Sequence, residues 1–513
     1  MDLPLLSFPT TTLLLLLLLL LFPFFIFIIS TRSTSRTRNL PPGPKKLPII
    51  GNLHQLGPLP HRSLHRLAAT HGPLMHLQLG QIPTLIISSP QLASQFLKTH
   101  DLSFCTRPST PTLMRFSYNE QDITSAKYGE HWRQLRKLCT LELFNMKRVH
   151  SFRAVREDEV HLLIQTIRHC CSQDEAVNLS EMFLCLSNNI TCREVLGKRF
   201  SEDGKCGRSE NHELVLEMIV LTSGFSIGDL FPGLEWLSVI TGTKKRIEWC
   251  FRRMDELFER EIEEHCLKKY ASAGDDHEDD FLDVMLKLQK DSSLGFLLTR
   301  DHIKGVLMNM FLGGTDSSET ILIWGMSELI KNPRVMEKVQ NEIRHVVGNK
   351  GKVEESDLKN LSYLKYVINE TLRMHPPAPL LVPRECREEC KINGYDIPLK
   401  TRAFINVWAL GRDPKSWEDP EEFRPERFEG SPINYKGQHF EFIPFGAGRR
   451  ICPGIQLGAA TLEITFANVL YHFNWKLPCG ECGENIDMSE TFGVGVHKKL
   501  PLVLMGTPWD IHF

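Results

Sequence analysis

The most informative segment of this 513-residue chain is Phe445-Gly446-Ala447-Gly448-Arg449-Arg450-Ile451-Cys452-Pro453-Gly454. Two glycines before the cysteine and one after it allow a tightly turned backbone that can approach a flat, bulky group. Pro453 suits the first position of an apolar helix predicted over Pro453 to Phe473. The positive end of that helix should favour the thiolate of Cys452, which an anionic metal ligand requires. Cys452 therefore stands apart from the other scattered cysteines, which we expect to be reduced and buried.

The spacing Phe445-x-x-Gly448-x-Arg450-x-Cys452-x-Gly454 resembles the haem-binding signature of the cytochrome P-450 superfamily, with every fixed position filled. The resemblance implies that Cys452 is the axial ligand of the iron of haem b. It also implies that Phe445 packs beside the sulfur and that Arg450 pairs with a haem propionate. Gly446 and Gly454 are expected to let the loop approach this cofactor.

Glu370 and Arg373 are three residues apart, on one face of a helix predicted over Ser356 to Met374. Alone the pair carries little information, because most such pairs are solvated surface bridges. The segment Pro425-Glu426-Arg427-Phe428 follows at the interval that the family uses. The resemblance therefore implies a buried structural network of Glu370, Arg373 and Arg427 that holds the haem loop.

Two adjacent glycines, Gly313 and Gly314, interrupt a helix predicted over Thr299 to Lys331, at a cost of about 1 kcal/mol each relative to alanine. We expect them to remove side chains where the helix passes a ligand. The segment resembles the oxygen-activation segment of the family. This implies that Asp316 and Ser317 deliver protons to bound dioxygen, with Thr315 as a neighbouring hydroxyl.

The family usually has threonine where this chain has Ser317. Serine has the same hydrogen-bonding capacity but lacks the methyl group that stiffens the rotamer. We therefore expect proton delivery to survive, with some release of peroxide.

Trp132 and Arg136 lie one turn apart on a helix predicted over Glu130 to Thr140, so that indole and guanidinium can both reach one carboxylate. The resemblance makes that carboxylate a haem propionate, with Arg384 as a further propionate ligand. Two interpretations stay open for the other basic residues nearby, a docking patch for an acidic electron donor or a solvated surface: Arg133, Lys137, Lys147 and Arg148.

The apolar run from Leu13 to Ile29 is followed at once by Arg32, Arg36 and Arg38. This order of charges predicts a single-pass signal anchor, with the remainder of the chain in the cytosol. The proline-rich segment Leu40-Pro41-Pro42-Gly43-Pro44 predicts a stiff hinge. We therefore expect a membrane anchor over 1–30, a hinge over 31–46 and one haem-thiolate catalytic domain over 47–513, at the endoplasmic reticulum.

The expected fold class is mainly α with a minor β-sheet, as in cytochromes P-450. Alternation predicts a strand at Leu74 to Leu79, and a β-branched run predicts another at Thr84 to Ile87. Polar surface loops are expected at Ser201 to His212 and at Ala273 to Asp280. Helical periodicity predicts further helices over Asn211 to Thr222, Lys244 to Tyr270 and Pro333 to Val347.

The charge balance, 60 basic against 62 acidic residues, gives no reason to expect a nucleic acid partner. The chain has no dinucleotide fingerprint, so electrons should come from NADPH through a separate flavoprotein reductase. The sequences of the hinge and of the haem loop resemble those of plant microsomal A-type enzymes of the seventy-one clan. This implies a monomeric monooxygenase that oxidises a hydrophobic specialised metabolite, first a terpenoid, then an alkaloid or a phenolic such as a coumarin.

By family position the substrate pocket is expected to include apolar and small residues of three segments: Met308, Gly313, Gly314, Leu380, Leu381, Val382 and Val494. Two other functions stay open. One is a haem-thiolate lyase, isomerase or dehydratase, for example acting on an aldoxime, that needs no reductase. The other is a non-enzymatic haem-binding membrane protein.

Overall fold

Helices form most of the protein, as the periodicity of its apolar residues predicts. The computed structural model describes residues 38–200, 210–222, 226–271, 279–292, 295–480, 482–493 and 495–509. The predicted anchor, most of the 201–212 and 273–280 loops, and Val494 lie outside these residues. Within the described ranges, no helix combines the length and the apolar character needed to cross a bilayer.

The longer helices are α1 (Pro60–His71), α2 (Glu130–Leu138), α3 (Arg153–Ser172), α4 (Leu179–Leu196), α5 (Glu210–Leu221), α6 (Thr243–Ala271), α7 (Phe281–Gln289), α8 (Arg300–Lys331), α9 (Pro333–Val347), α10 (Ser362–Met374) and α11 (Ile455–His472). Shorter α-helices are Pro90–Ser94, Asp101–Phe104, Pro111–Phe116, Met146–Ser151, Ile227–Leu230, Leu237–Ile240 and Val407–Leu410. Two π-helical turns are Gln95–Thr99 and Cys139–Leu143.

The strands are β1 (Leu74–Leu79), β2 (Ile82–Ile87), β3 (Val177–Asn178), β4 (Arg384–Glu385), β5 (Cys390–Ile392), β6 (Tyr395–Ile397), β7 (Arg402–Ile405), β8 (Phe473–Lys476), β9 (Glu490–Phe492), β10 (Val496–Lys498) and β11 (Val503–Pro508). The largest sheet has the order β1-β2-β7-β4 and contains both predicted strands. In it β2 runs antiparallel to β1 and parallel to β7. The others have the orders β3-β11-β8, β9-β10 and β5-β6.

Helix boundaries differ from the predictions where turns take over. A 3₁₀ turn, Leu358–Asn360, precedes α10, which therefore begins at Ser362 and not at Ser356. Helix α11 begins at Ile455, with Gly454 as its N-cap, rather than at Pro453. Pro453 thus belongs to the loop.

Helix α8 is the central element of the helical body. Thr299 caps it reciprocally, since its hydroxyl accepts from the N–H of His302 and the His302 ring accepts from the N–H of Thr299. The helix packs against α4, α10 and α11. Its carboxyl half belongs to a core cluster with Leu372 of α10 and Phe466 of α11. The start of α11 lies beside the middle of α8, since Leu457 packs against a second cluster that contains Phe311.

Candidate active site

The Cys452 loop is a tight turn that its own backbone closes. The N–H of Cys452 donates to the carbonyl of Phe445 at 3.0 Å. Gly446 and Gly448 have φ values of +71° and +69°, a region that side-chain-bearing residues rarely adopt. Gly446 and Gly448 are therefore required by the turn itself.

Asp101 connects this loop to the neighbouring chain. Its Oδ1 accepts from Arg384 at 2.6 Å, and its Oδ2 accepts from the N–H and the guanidinium of Arg449 at 3.1 and 2.8 Å. Arg384 also donates to the carbonyl of Ala447 at 2.8 Å. A Cβ on Gly448 would lie 2.6 Å from Asp101 Oδ1, so this contact also requires glycine. The sequence analysis missed Asp101, because nothing in its local sequence marks it.

The electrostatics of Cys452 differ from the expectation. Burial raises the pKa of the Cys452 thiol, and the N–H of Gly454 and the charge of Arg136 offset this only in part. The N–H at the start of α11 thus acts in the predicted direction, towards the thiolate, but it does not outweigh burial. A metal cation at the sulfur would supply the missing charge and deprotonate it.

Three glycines border open space beside the loop. A Cβ on Gly454, on Gly458 of α11 or on Gly313 of α8 would have none of the described atoms within 4 Å. Gly313 is exposed although Phe311 and Thr315, on either side of it, are buried. These glycines thus leave open space, called the hollow below, at the middle of α8 and at the start of α11.

Arginine side chains gather near this hollow: Arg107, Arg136, Arg384 and Arg450. Burial lowers the pKa of each of them. Their mutual repulsion lowers the pKa of Arg450 and Arg107 further, and that of Arg450 falls to about 9. Asp101 and Asp122 neutralise only part of this charge. Such an excess of guanidinium groups favours an anionic ligand with carboxylates. Arg107 was not predicted.

Trp132 and Arg136 do not bind a common group. The indole N–H of Trp132 donates to the carbonyl of Ile123 at 3.0 Å, and Arg136 donates to the carbonyl of Ile451 at 2.5 Å. The guanidinium of Arg450 lies 4.1 Å from the centre of the Trp132 ring and donates to three backbone carbonyls. The ring of Trp132 thus contacts the guanidinium of Arg450, and its N–H is already bonded inside the core.

The structure brings Glu370, Arg373 and Arg427 together. Arg373 donates to both carboxylate oxygens of Glu370, at 2.7 and 2.8 Å, and Arg427 donates to Oε1 at 2.8 Å. The side chains of Glu370 and Arg373 have no exposed surface. Both arginines also donate to backbone carbonyls of the segment before Pro425. The network therefore ties α10 to this segment.

Three residues of α8 that were assigned to the pocket or to proton delivery pack closely against neighbouring parts of the protein. Met308 has no exposed surface and packs in a core cluster with Phe311. A Cβ on Gly314 would lie 2.7 Å from Thr191 Oγ1, so Gly314 serves the close approach of α4. Thr315 is fully buried, and its hydroxyl has no hydrogen-bond partner among the described residues. The assignments of these residues to the pocket or to proton delivery stay predictions, whereas Gly313 is exposed and borders open space.

Ser317 and Asp316 face different neighbours. The hydroxyl of Ser317 donates to the carbonyl of Gly313 at 2.8 Å, on the open side of α8. The carboxylate of Asp316 lies 3.0 Å from Nε2 of His497 on β10. Sequence analysis missed His497, because the contact arises from the packing of β10 on α8.

The predicted pocket residues after α10 differ in exposure. Leu380 is buried in a cluster with Met75 and Phe404, and its assignment to the pocket stays a prediction. Leu381 has a positive φ of 52° and lies next to Gly446. Val382 is 39% exposed. Leu381 and Val382 thus retain surface beside the haem-loop motif.

A family model for cytochrome P450 matches residues 41–505. The chain therefore belongs to the cytochrome P450 family, as its motifs predicted. It is 51% identical to cytochrome P450 71A1 of Persea americana, over 89% of this chain and 91% of that one. It is 46% identical to the phenylacetaldehyde oxime monooxygenase of Prunus mume, with 95% and 93% covered. The 5-epiaristolochene 1,3-dihydroxylase of Nicotiana tabacum is 44% identical, with 95% and 96% covered.

The fold agrees with this membership. A zebra fish cytochrome P450 solved with progesterone has a TM-score of 0.74 and 26% identity, over 88% of this chain and 99% of that chain. The chain is thus a monooxygenase related to the plant seventy-one clan, and its family implies haem, a redox partner, a small substrate and O2. The donor set fits haem: a cysteine, a hollow bordered by glycines, and buried arginines in excess over nearby carboxylates.

Proposed function

We propose that the chain is an NADPH-dependent haem-thiolate monooxygenase that oxidises a hydrophobic plant metabolite. In this enzyme Cys452 would hold the iron. The observation that carries the proposal is the hollow between Gly313 and the Cys452 loop, with the arginine cluster beside it. Haem, when bound, supplies the reductive activation of dioxygen. Arg136, Arg384 and Arg450 would hold its propionates, with Arg107 beside them.

The residues of this chain would perform three further tasks. The network of Glu370, Arg373 and Arg427 keeps the segment before the haem loop in place. Asp316 and Ser317 hold and move the protons that dioxygen needs, Ser317 from the open side of α8. Gly313 leaves room for the substrate above the cofactor.

The proposed substrate is apolar, first a terpenoid, then an alkaloid or a phenolic. Val382, Leu381 and the glycine surface of α8 support an uncharged ligand, because a charged one would lose its hydration there. The name of the relative from Nicotiana tabacum describes dihydroxylation of a compound whose own name has the suffix of an alkene. This supports hydroxylation of an alkene-type skeleton.

The second candidate is a haem-thiolate lyase, isomerase or dehydratase that uses no reductase. An oxime is the substrate in the name of the relative from Prunus mume, although that relative is itself named a monooxygenase. The acid and the hydroxyl at Asp316 and Ser317 favour the monooxygenase, since dioxygen reduction needs protons delivered there.

Electrons would come from NADPH through a flavoprotein reductase that docks on basic residues. Lys137 and Lys147 are exposed. Arg133 is paired with Glu130, and Arg148 donates to the carbonyl of Asp279 at 3.0 Å. The two lysines are therefore the better candidates for a patch that an acidic partner meets.

We also propose the endoplasmic reticulum membrane as the location, with residues 1–30 as a single-pass anchor and 31–46 as the hinge. Trp236 and Ile240, 58% and 73% exposed, form part of an apolar surface. The turn after β1 connects this surface to the amino-terminal segment, because Gln81 donates to Leu230 and Gly80 donates to Ile50. Apolar residues on that edge support contact with the bilayer beside the anchor.

One experiment separates these functions. The full chain is expressed with and without a plant reductase, and microsomes are screened against terpenoids, alkaloids, phenolics and aldoximes with and without NADPH. We expect products that carry added oxygen and require both reductase and NADPH. Turnover that is independent of both would support the lyase class, and a haem-loaded protein that turns over no substrate class would support a non-enzymatic role.

A further inference from the structure

The ring of His497 lies against three residues of α8. Its Nε2 is 3.0 Å from Asp316 Oδ1, and its Nδ1 is 3.2 Å from Thr320 Oγ1 and 4.0 Å from Glu319 Oε2. The side chain of Asp316 is 8% exposed and that of His497 is 29% exposed. The histidine is thus the more solvent-accessible partner of a largely buried carboxylate.

The approach of β10 to α8 is built into the backbone. The indole N–H of Trp324 donates to the carbonyl of Val496 at 2.9 Å, and the N–H of Val496 donates to Pro377 at 3.0 Å. A Cβ on Gly495 would lie 2.9 Å from Asp316 Oδ2, so glycine is needed for the strand to come this close. The contact between His497 and Asp316 is therefore a consequence of main-chain packing on both sides.

The charges that face the ring come from α8. Among the described residues these are Asp316 and Glu319, whereas β9 presents the uncharged Thr491 opposite His497. Burial acts to lower the pKa of His497, but the Asp316 carboxylate outweighs it and, with Glu319, raises the pKa to about 9. At neutral pH the ring is therefore an imidazolium paired with a carboxylate.

We propose that His497 is a positioning residue of the monooxygenase reaction, which holds the Asp316 carboxylate in one orientation on α8, next to Ser317. The inference rests on the proposed part of Asp316 in proton delivery. A fixed carboxylate exchanges protons with the open side of α8 from one geometry. When the carboxylate is released, dioxygen that has taken two electrons from NADPH leaves with two protons as hydrogen peroxide, and no oxygen enters the substrate.

The test uses the full-length holoenzyme with reductase and compares hydrogen peroxide formed per NADPH consumed. In His497→Gln, which keeps a donor but loses the charge, we expect this ratio to rise at least about threefold, because the carboxylate loses its cationic partner. His497→Arg, a permanent cation, should restore the wild-type ratio. The wild-type ratio should rise as the pH passes the pKa of the ring, and the arginine variant should lack this rise. Lys498→Gln, one residue further along β10, is the matched control.

A second readout needs no turnover. The rate at which diethyl pyrocarbonate modifies His497, followed by peptide mass spectrometry, reports the fraction of neutral ring. We expect a midpoint near pH 9 in the wild type and a shift below 7 in Asp316→Asn. A wild-type midpoint near the ordinary value of 6.5 overturns the proposal.

The proton-delivery role of Asp316 and the positioning role of His497 can be tested separately. If Asp316→Asn couples as well as the wild type, the proton-delivery role of Asp316 is wrong. If Asp316→Asn releases peroxide but His497→Gln does not, Asp316 keeps its role and the positioning role of His497 is wrong. Equal peroxide release in both single variants and in the double variant supports one shared function.

Discussion

Gly314 of α8 faces Thr191 of α4 so closely that a Cβ on the glycine would lie 2.7 Å from the threonine hydroxyl oxygen. The neighbouring Gly313 has no such contact and opens onto the hollow. The two adjacent glycines therefore have different functions. Gly314 permits helix packing, and Gly313 keeps space for a ligand.

Alanine at each position should separate these functions. Gly313→Ala should change the substrate preference. Its free energy of unfolding should stay the same or rise by up to about 1 kcal/mol, because alanine has the higher helix propensity, and its thermal midpoint should not fall. Gly314→Ala should lower the midpoint, because Thr191 must move away from its bond to the Ser187 carbonyl. The double variant Gly314→Ala/Thr191→Ala should recover most of the loss. Equal melting of both single variants would contradict this account.

The Glu370 network predicts a large effect of one charge. Glu370→Gln leaves Arg373 and Arg427 without their shared carboxylate, and we expect roughly 3–5 kcal/mol of lost stability, the usual effect of breaking a buried pair. Haem retention should fall with it, measured as haem per protein after purification. Glu130→Gln is the control, since Glu130 pairs with Arg133 at the same i, i+3 spacing on an exposed helix face and should change stability little. Similar losses in both variants would contradict a special role of the network.

Glu490 on β9 predicts sensitivity to acid. Burial acts to raise its pKa, but hydrogen bonds from His61 and Arg62 lower it from 4.5 to about 2. Because the folded-state pKa is depressed, the stabilisation is complete above pH 4.5 and is lost as the pH falls towards 2. Glu490→Gln should lose on the order of 2 kcal/mol at pH 7 and show a flatter decline between pH 4.5 and 3. Urea unfolding at several pH values measures this, with the exposed Glu429→Gln as control.

The basic surface predicts a kinetic effect on electron transfer. Lys137→Glu/Lys147→Glu should raise the reductase concentration needed for half-maximal NADPH-dependent turnover, and the effect should shrink with added salt. Substrate binding, followed by the spectral change on titration, should stay as in the wild type. A variant with unchanged reductase dependence would return these lysines to the class of solvated surface residues.

Much of the helical fold could be predicted from local pattern. The apolar positions of α9 repeat with the helical period, and the prediction of Pro333–Val347 is confirmed at both ends. Leu74–Leu79 is likewise confirmed, because alternation suits a strand with one buried face. Boundaries set by turns, such as Leu358–Asn360 before α10, follow from hydrogen bonds that local pattern does not reveal.

The site was predictable only where residues form a motif. Cys452, Glu370 and Arg373 stand in such motifs, whereas Asp101 and His497 enter through contacts with distant parts of the chain. The glycine positions were recognised, but the close contact of Gly314 with Thr191 was not, because it depends on how α4 packs. Which side of a helix meets a ligand depends on what packs against the other side.

We propose that Cys452 is the thiolate ligand of a haem held in this hollow. The most direct test is the carbon monoxide difference spectrum of the reduced full-length protein, compared with that of Cys452→Ser. We predict a thiolate-type spectrum for the wild type and its complete loss in the serine variant, while Cys482→Ser, an exposed cysteine elsewhere, keeps the wild-type spectrum. A thiolate-type spectrum that persists in Cys452→Ser, or a histidine-type spectrum in the wild type, would contradict the account.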